Sequence, residues 1–170
     1  VKHGFFGRSG GVSTGEYSSL NLSEKTTDSK VNVYQNKRLI LDKLELSNTN
    51  VFFPNQQHTS NVVFIDKKTN LDELRYVPAD AVVTNVDDIG VGILTADCSP
   101  ILAYERESGF ILAIHAGWKG ALAGVCENAL NSLADLGVNI TKFSVAIGPT
   151  ISSKRYEVKI DFVDFFIETD

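Results

Sequence analysis

Residues Gly92–Gly120 read GILTADCSPILAYERESGFILAIHAGWKG. Two apolar runs stand out, Ile101–Glu105 and Phe110–His115. Both have strand length and strand composition. The RESG tetrad at 106–109 between them is turn chemistry, so the pair reads as a β-hairpin. Cys98 stands just before the first run and His115 ends the second. A thiol and an imidazole are therefore carried to strand ends beside Pro- and Gly-containing turns. Across a hairpin the two ends lie roughly diagonally. For the two side chains to meet, one has to come round through the loop after Asp97.

Further apolar runs lie upstream at Val51–Phe53, Val62–Ile65, Ala81–Thr84 and Gly90–Thr95. VDDIG at 86–90 is another turn. The middle of the chain thus reads as a set of antiparallel hairpins. Downstream, Gly117–Leu136 reads as one helix. Leu122, Val125, Cys126, Ala129, Leu133 and Leu136 fall on one face, with Gly137 as C-cap. Phe143–Ile147 is one more strand, and 160–167 is an apolar closing helix. Near the N-terminus, HGFFGRSGGVSTGEYSSLNLS (3–23) predicts a short strand, a Gly-rich loop and an extended stretch. A helix over about Lys30–Leu46 follows, capped by Asp28 or Ser29, with Tyr34, Ile40, Leu41 and Leu44 as its stripe. The pattern is neither a clean βαβ alternation nor a sandwich. The expected class is α/β (α+β): mixed, largely antiparallel sheets layered with helices.

The 170 residues suit a single domain over 1–170 with a core of its own. Hydrophobic residues make up 43% and charged ones 22%, ordinary for a globular protein. A net charge of −5 argues against nucleic acid as partner. No apolar stretch is long enough to span a bilayer, and no leader-like segment opens the sequence. Two cysteines make no disulfide framework, which points to a reducing, cytoplasmic setting.

Three residues carry candidate chemistry: His58 in NQQHTSNV, Cys98 in TADCSP and His115 in AIHAGWKG. Taken singly, each has a plain reading. His58 is a loop surface residue, Cys98 a small packed hydrophobe, His115 a satisfied core histidine. Their spacing is not that of a zinc finger. Brought together, two imidazoles and a thiolate suit zinc and leave a fourth position open, the pattern of a catalytic site. Asp97 beside Cys98 would then carry a proton or orient a ligand. Arg8, set among glycines in GRSGG, and Lys119, at the start of the helix after His115, are the candidate cations for a phosphate.

At this point the motifs support a resemblance. HGFFGRSGGVSTGEYSSLNLS, QQHT, ADAVVTN, GILTADCSPIL, AIHAGWKG and IGPTISSKRYEV occur in the order seen in the laccase-domain proteins. That family is also called YfiH-like, polyphenol oxidase or purine nucleoside phosphorylase. The likeness runs from His3 to about Val158. It implies one zinc on His58, Cys98 and His115, and it places the glycine-loop arginine on Arg8. It implies phosphorolysis of adenosine, inosine, guanosine or methylthioadenosine to base and ribose 1-phosphate, with adenosine deamination besides. Purine nucleosides and phosphate are the implied partners, and a monomer or weak homo-oligomer the expected state.

Three rival readings stay open: a copper-dependent polyphenol oxidase, a cysteine hydrolase with Cys98 as nucleophile and His115 as base, and a non-catalytic nucleoside-binding module. Three histidines are few for several copper centres. Relative to the family pattern, Lys119 stands where arginine is usual and Thr150 where cysteine is usual. Family members also continue with a further C-terminal segment, so the domain is expected to be short at that end.

Overall fold

A computed structural model describes residues 1–159 and 162–167. The chain divides into two compact units. The first comprises Val1–Val51 and Asp87–Gly90; the second comprises Phe52–Val86 and the described residues from Val91 onward.

In the first unit, helix α1 (Lys30–Lys43) stands at the predicted place. Its buried positions are Val33, Asn36 and Ile40. The predicted stripe is therefore shifted, and Tyr34 faces solvent. The reason is polar. Asn36 on the inner face accepts from Val12 N at 2.8 Å and donates to Ser13 Oγ, Ser19 O and Asn21 O. The 3–23 segment consequently bonds to itself and to Asn36, and it forms no strand; it carries a 3-10 turn at Gly15–Tyr17. Ser29 occupies the N-cap of α1 without a side-chain cap, while Asp28 Oδ1 accepts from Ser29 N. Strand β1 (Asn50–Phe52) pairs with β4 (Ile89–Val91) in a two-stranded sheet.

The second unit is built on a five-stranded sheet. Its strands are β2 (Val62–Ile65), β3 (Ala81–Thr84), β5 (Ser99–Tyr104), β6 (Ile111–Ala116) and β7 (Ser144–Ile147), in the order β2-β3-β6-β5-β7. The 101–115 hairpin is present as β5 and β6, with Ile101 opposite Ile114. One expectation fails here. β2 and β3 are parallel, not a hairpin. The segment between them carries helix α2 (Leu71–Leu74), and a connection of that length allows a crossover. The remaining pairings in this sheet are antiparallel. The architecture is thus mixed α/β with largely antiparallel sheets and helices.

Alternation along the central strands gives the sheet two different faces. Ala81 and Val83 of β3, Leu112 and Ile114 of β6, and Ala103 of β5 join one core cluster. Val125, Ala129 and Leu133, spaced four apart on helix α4 (Val125–Asp135), close that cluster. Removing a fully buried leucine side chain such as that of Leu133 from this core costs about 2–5 kcal/mol. The predicted 117–136 helix is in fact two, α3 (Trp118–Leu122) and α4, because Gly124 takes a left-handed conformation with φ +80°. Leu136 lies beyond α4 and is exposed. Helix α5 (Asp164–Ile167) falls inside the predicted closing segment; Ile160 and Asp161 lie outside the described residues. The opposite sheet face carries Val82, Ala113 and His115. The site is built on that face, away from α4.

Candidate metal centre

His115 is the next-to-last residue of β6 and is 4% exposed. Cys98 immediately precedes β5, whose Ser99 pairs with Ala116. In an antiparallel hairpin the start of one strand meets the end of the other. Cys98 and His115 therefore lie at the same end of the hairpin, not diagonally across it. His58 reaches them from the loop before β2 with a left-handed backbone, φ +59°.

One carboxylate holds that loop. Asp80, fully buried just before β3, accepts from the N–H groups of Gln57 at 3.2 Å, His58 at 3.0 Å and Thr59 at 2.6 Å, and from Thr59 Oγ1 at 2.9 Å. Its Oδ1 also lies 2.7 Å from His115 Nδ1. The backbone completes the contact, since His115 N donates to Asp80 O at 2.7 Å. Burial pushes the Asp80 carboxyl up, but hydrogen bonds from His115, Thr59 and Gln57 outweigh it and leave its pKa below the ordinary value. Gln56 fastens the same loop elsewhere: its side chain donates to Leu94 O at 2.7 Å and accepts from Leu94 N at 2.8 Å.

The ligand atoms of His58, Cys98 and His115 all lie within 4.8 Å of one another. Cys98 Sγ is 3.8 Å from His58 Nε2, and the two imidazole centroids are 4.9 Å apart with ring planes at 77°. Bonds of about 2.0–2.3 Å at a tetrahedral zinc put neighbouring donors about 3.3–3.6 Å apart. The donor set and spacing fit such an ion with little movement. Gly117 makes room for the cluster. A β-carbon there would meet His58 Cδ2 at 2.6 Å and Cys98 Sγ at 3.1 Å. Burial first, then the charges of Asp97 and Asp80, holds the Cys98 thiol above its ordinary pKa. That environment opposes a free thiolate nucleophile and suits a thiol that ionises onto a cation.

The other predicted residues are not among the converging ligand atoms. Asp97 is exposed; its carbonyl accepts from Ile151 N at 3.0 Å and Thr150 Oγ1 at 2.6 Å, which fixes the segment leading into Cys98. Lys119 is exposed on α3, its ammonium 5.5 Å from the Trp118 ring centroid. Arg8 belongs to the first unit, where Nε and Nη2 donate to Ser18 O at 3.2 and 2.8 Å. The sequence does not single out Asp80 or Gly117. Their signals are faint: an aspartate leading into the all-apolar AVV of β3, and a glycine directly after AIHA.

Comparison with known proteins decides the family. Residues 2–170 match the family model described as "Multi-copper polyphenol oxidoreductase laccase". The chain belongs to that family. A Streptomyces coelicolor relative named purine nucleoside phosphorylase is 36% identical over 156 residues, covering 91% of this laccase-family chain and 62% of the relative. A Haemophilus influenzae protein of the same name is 34% identical over 164 residues, covering 96% and 63%. The solved structure of YlmD from Geobacillus stearothermophilus superposes with a TM-score of 0.83 at 25% identity, over 95% of this chain and 62% of that one. This laccase-family chain thus spans a little over three-fifths of the length of these relatives.

Proposed function

We propose that this chain carries the metal centre of a zinc-dependent purine nucleoside phosphorylase. The reaction would convert adenosine, inosine, guanosine or methylthioadenosine, with phosphate, to base and ribose 1-phosphate. The same centre would deaminate adenosine. The observation that carries the reading is the convergence of His58, Cys98 and His115 within 4.8 Å on a face backed by buried Asp80. The name borne by the relatives supports the substrate class.

In this reading His58, Cys98 and His115 hold the metal. Bound there, zinc would supply Lewis acidity and a water nucleophile at neutral pH. Asp80 keeps the Nδ1 edge of His115 engaged and so leaves Nε2 for the ion. Asp97, next to the thiolate, is the proposed proton carrier. Arg8 and Lys119 are the proposed phosphate cations. A reducing, cytoplasmic setting suits the free thiols of Cys98 and Cys126. Among the described residues no helix is long and apolar enough to cross a membrane. A monomer or weak homo-oligomer is the proposed state.

A second reading, copper-dependent phenol oxidation, has the description of the family model in its favour. The donor set weighs against it. Two histidines and one cysteine make one site, and a single further histidine in the sequence is few for several copper centres. Incubation with adenosine and phosphate, with metal content measured on the same sample, separates the two. Adenine, inosine and hypoxanthine from zinc-loaded protein are expected. Dye oxidation by copper-loaded protein without any nucleoside turnover would overturn the phosphorylase reading.

A further inference from the structure

Asp80 is 35 residues from His115 and 22 from His58 in sequence, yet it bonds both. Its two oxygens are saturated. Oδ1 faces His58 N and His115 Nδ1; Oδ2 faces Gln57 N, Thr59 N and Thr59 Oγ1. Thr59 Oγ1 itself accepts from Asn61 N, so its own hydrogen is free to go to Asp80. Four donors besides His115 converge on the two oxygens, and hydrogen bonds to a carboxylate favour its charged, accepting form. Asp80 therefore acts only as acceptor, and the proton shared with His115 resides on Nδ1.

Two consequences follow for the cluster. A protonated Nδ1 leaves Nε2 of His115 as a bare lone pair on the side away from Asp80. The same carboxylate collects three successive N–H groups of residues 57–59, which holds His58 in a backbone conformation that non-glycine residues seldom adopt. Cys98 is fixed by a different route, through β5 and the Thr150 and Ile151 bonds to the Asp97 carbonyl.

We infer that Asp80 is the positioning residue of the centre: one carboxylate sets the tautomer of His115 and the loop conformation of His58, and so arranges two of the three metal ligands before the ion arrives. This inference rests on the reading of His58, Cys98 and His115 as metal ligands. An amide at position 80 cannot accept on both of its heavy atoms. Turned one way, the amide NH2 opposes the N–H groups of Gln57 and Thr59. Turned the other way, it opposes His58 N and forces His115 Nδ1 to accept, which moves the ring proton onto Nε2, the metal-facing atom.

The test measures zinc affinity by chelator competition on the whole chain for wild type, Asp80→Asn and Thr84→Val. Thr84 is a buried polar residue at the end of β3, the strand that follows Asp80; its hydroxyl bonds Ile65 O, away from the cluster, and it reports lost stability alone. Asp80→Asn should bind about 10–100-fold more weakly, and Thr84→Val as wild type. Cobalt-loaded Asp80→Asn should keep its thiolate-to-metal charge-transfer band while its tetrahedral d–d bands weaken. Nitrogen-15 spectra of metal-free wild type should show His115 protonated on Nδ1 and bare on Nε2, a readout that stands even where Asp80→Asn fails to fold. Wild-type affinity in Asp80→Asn, or an Nε2-protonated His115 in metal-free wild type, overturns the role of Asp80 alone. A wild-type protein that takes up no stoichiometric zinc overturns the metal-centre reading and this inference with it.

Discussion

A β-carbon on Gly117 would stand 2.6 Å from Cδ2 of His58. Gly117 has φ −72° and ψ 160°, a conformation open to any residue, so crowding is the whole cost of a side chain there. Gly117→Ala should push the exposed His58 ring out of the cluster and lower zinc affinity at least about tenfold. The accompanying loss of stability should stay within the ~1–3 kcal/mol of ordinary overpacking. A chelator titration paired with a thermal melt checks this. Unchanged zinc affinity in Gly117→Ala would show that the ring has no fixed position to lose.

Cys98 supplies the one sulfur of the cluster. Cys98→Ala should remove tightly bound zinc and, with it, nucleoside turnover, while the fold persists because Cys98 lies outside the core cluster. Metal analysis after gel filtration, together with circular dichroism, measures both. A cysteine hydrolase would behave otherwise: chelators would leave wild-type activity intact and a thiol alkylator would abolish it.

Much of this site is readable from residue types and order, because strand ends and turns announce themselves locally. The 101–115 hairpin follows from two apolar runs around RESG, and β2 and β3 match their predicted runs residue for residue. What stays hidden is long-range. The two apolar runs at 62–65 and 81–84 read as strands of either sense; only the long connection between them, with α2 inside it, allows the parallel crossover. Asp80 looks like a strand-entry residue until register places it beside His115, one step beyond the Ala81–Ile114 pair. The shift of the buried face on α1 has the same origin. Asn36 is polar, and only the loop it bonds explains its burial.

That loop gives a stability prediction. Asn36 is fully buried and bonds Val12, Ser13, Ser19 and Asn21. Asn36→Ala would strand the part-buried Val12 N–H and Asn21 carbonyl, at about 1–3 kcal/mol for each one left unsatisfied, while Ser13 Oγ keeps Asp28 and Ser19 O keeps Ser13 N. Urea unfolding should show a loss of at least ~2 kcal/mol, and proteolysis should open first within residues 11–21. A loss under ~0.5 kcal/mol would mean that solvent replaces Asn36 without penalty.

Glu105 is one of the carboxylates that contribute to the acid limb. Its carboxylate caps the turn after β5, bonded by the Ser108 hydroxyl and the N–H groups of Glu107 and Ser108, and its pKa falls from 4.5 to about 2. A depressed folded-state value means that the unfolded chain binds the proton first as pH drops. The stabilisation is therefore full above 4.5 and disappears as pH falls through about 2. Unfolding of wild type and Glu105→Gln should differ most at pH 7, less at pH 3.5 and hardly at all at pH 2. A gap that stays constant over that range would remove Glu105 from the account.

The centre itself is tested most directly by zinc-edge X-ray absorption on the zinc-loaded protein. One sulfur at about 2.3 Å and two imidazole nitrogens at about 2.0–2.1 Å in a four-coordinate shell are predicted. A shell of oxygen and nitrogen alone, with no sulfur, would contradict it.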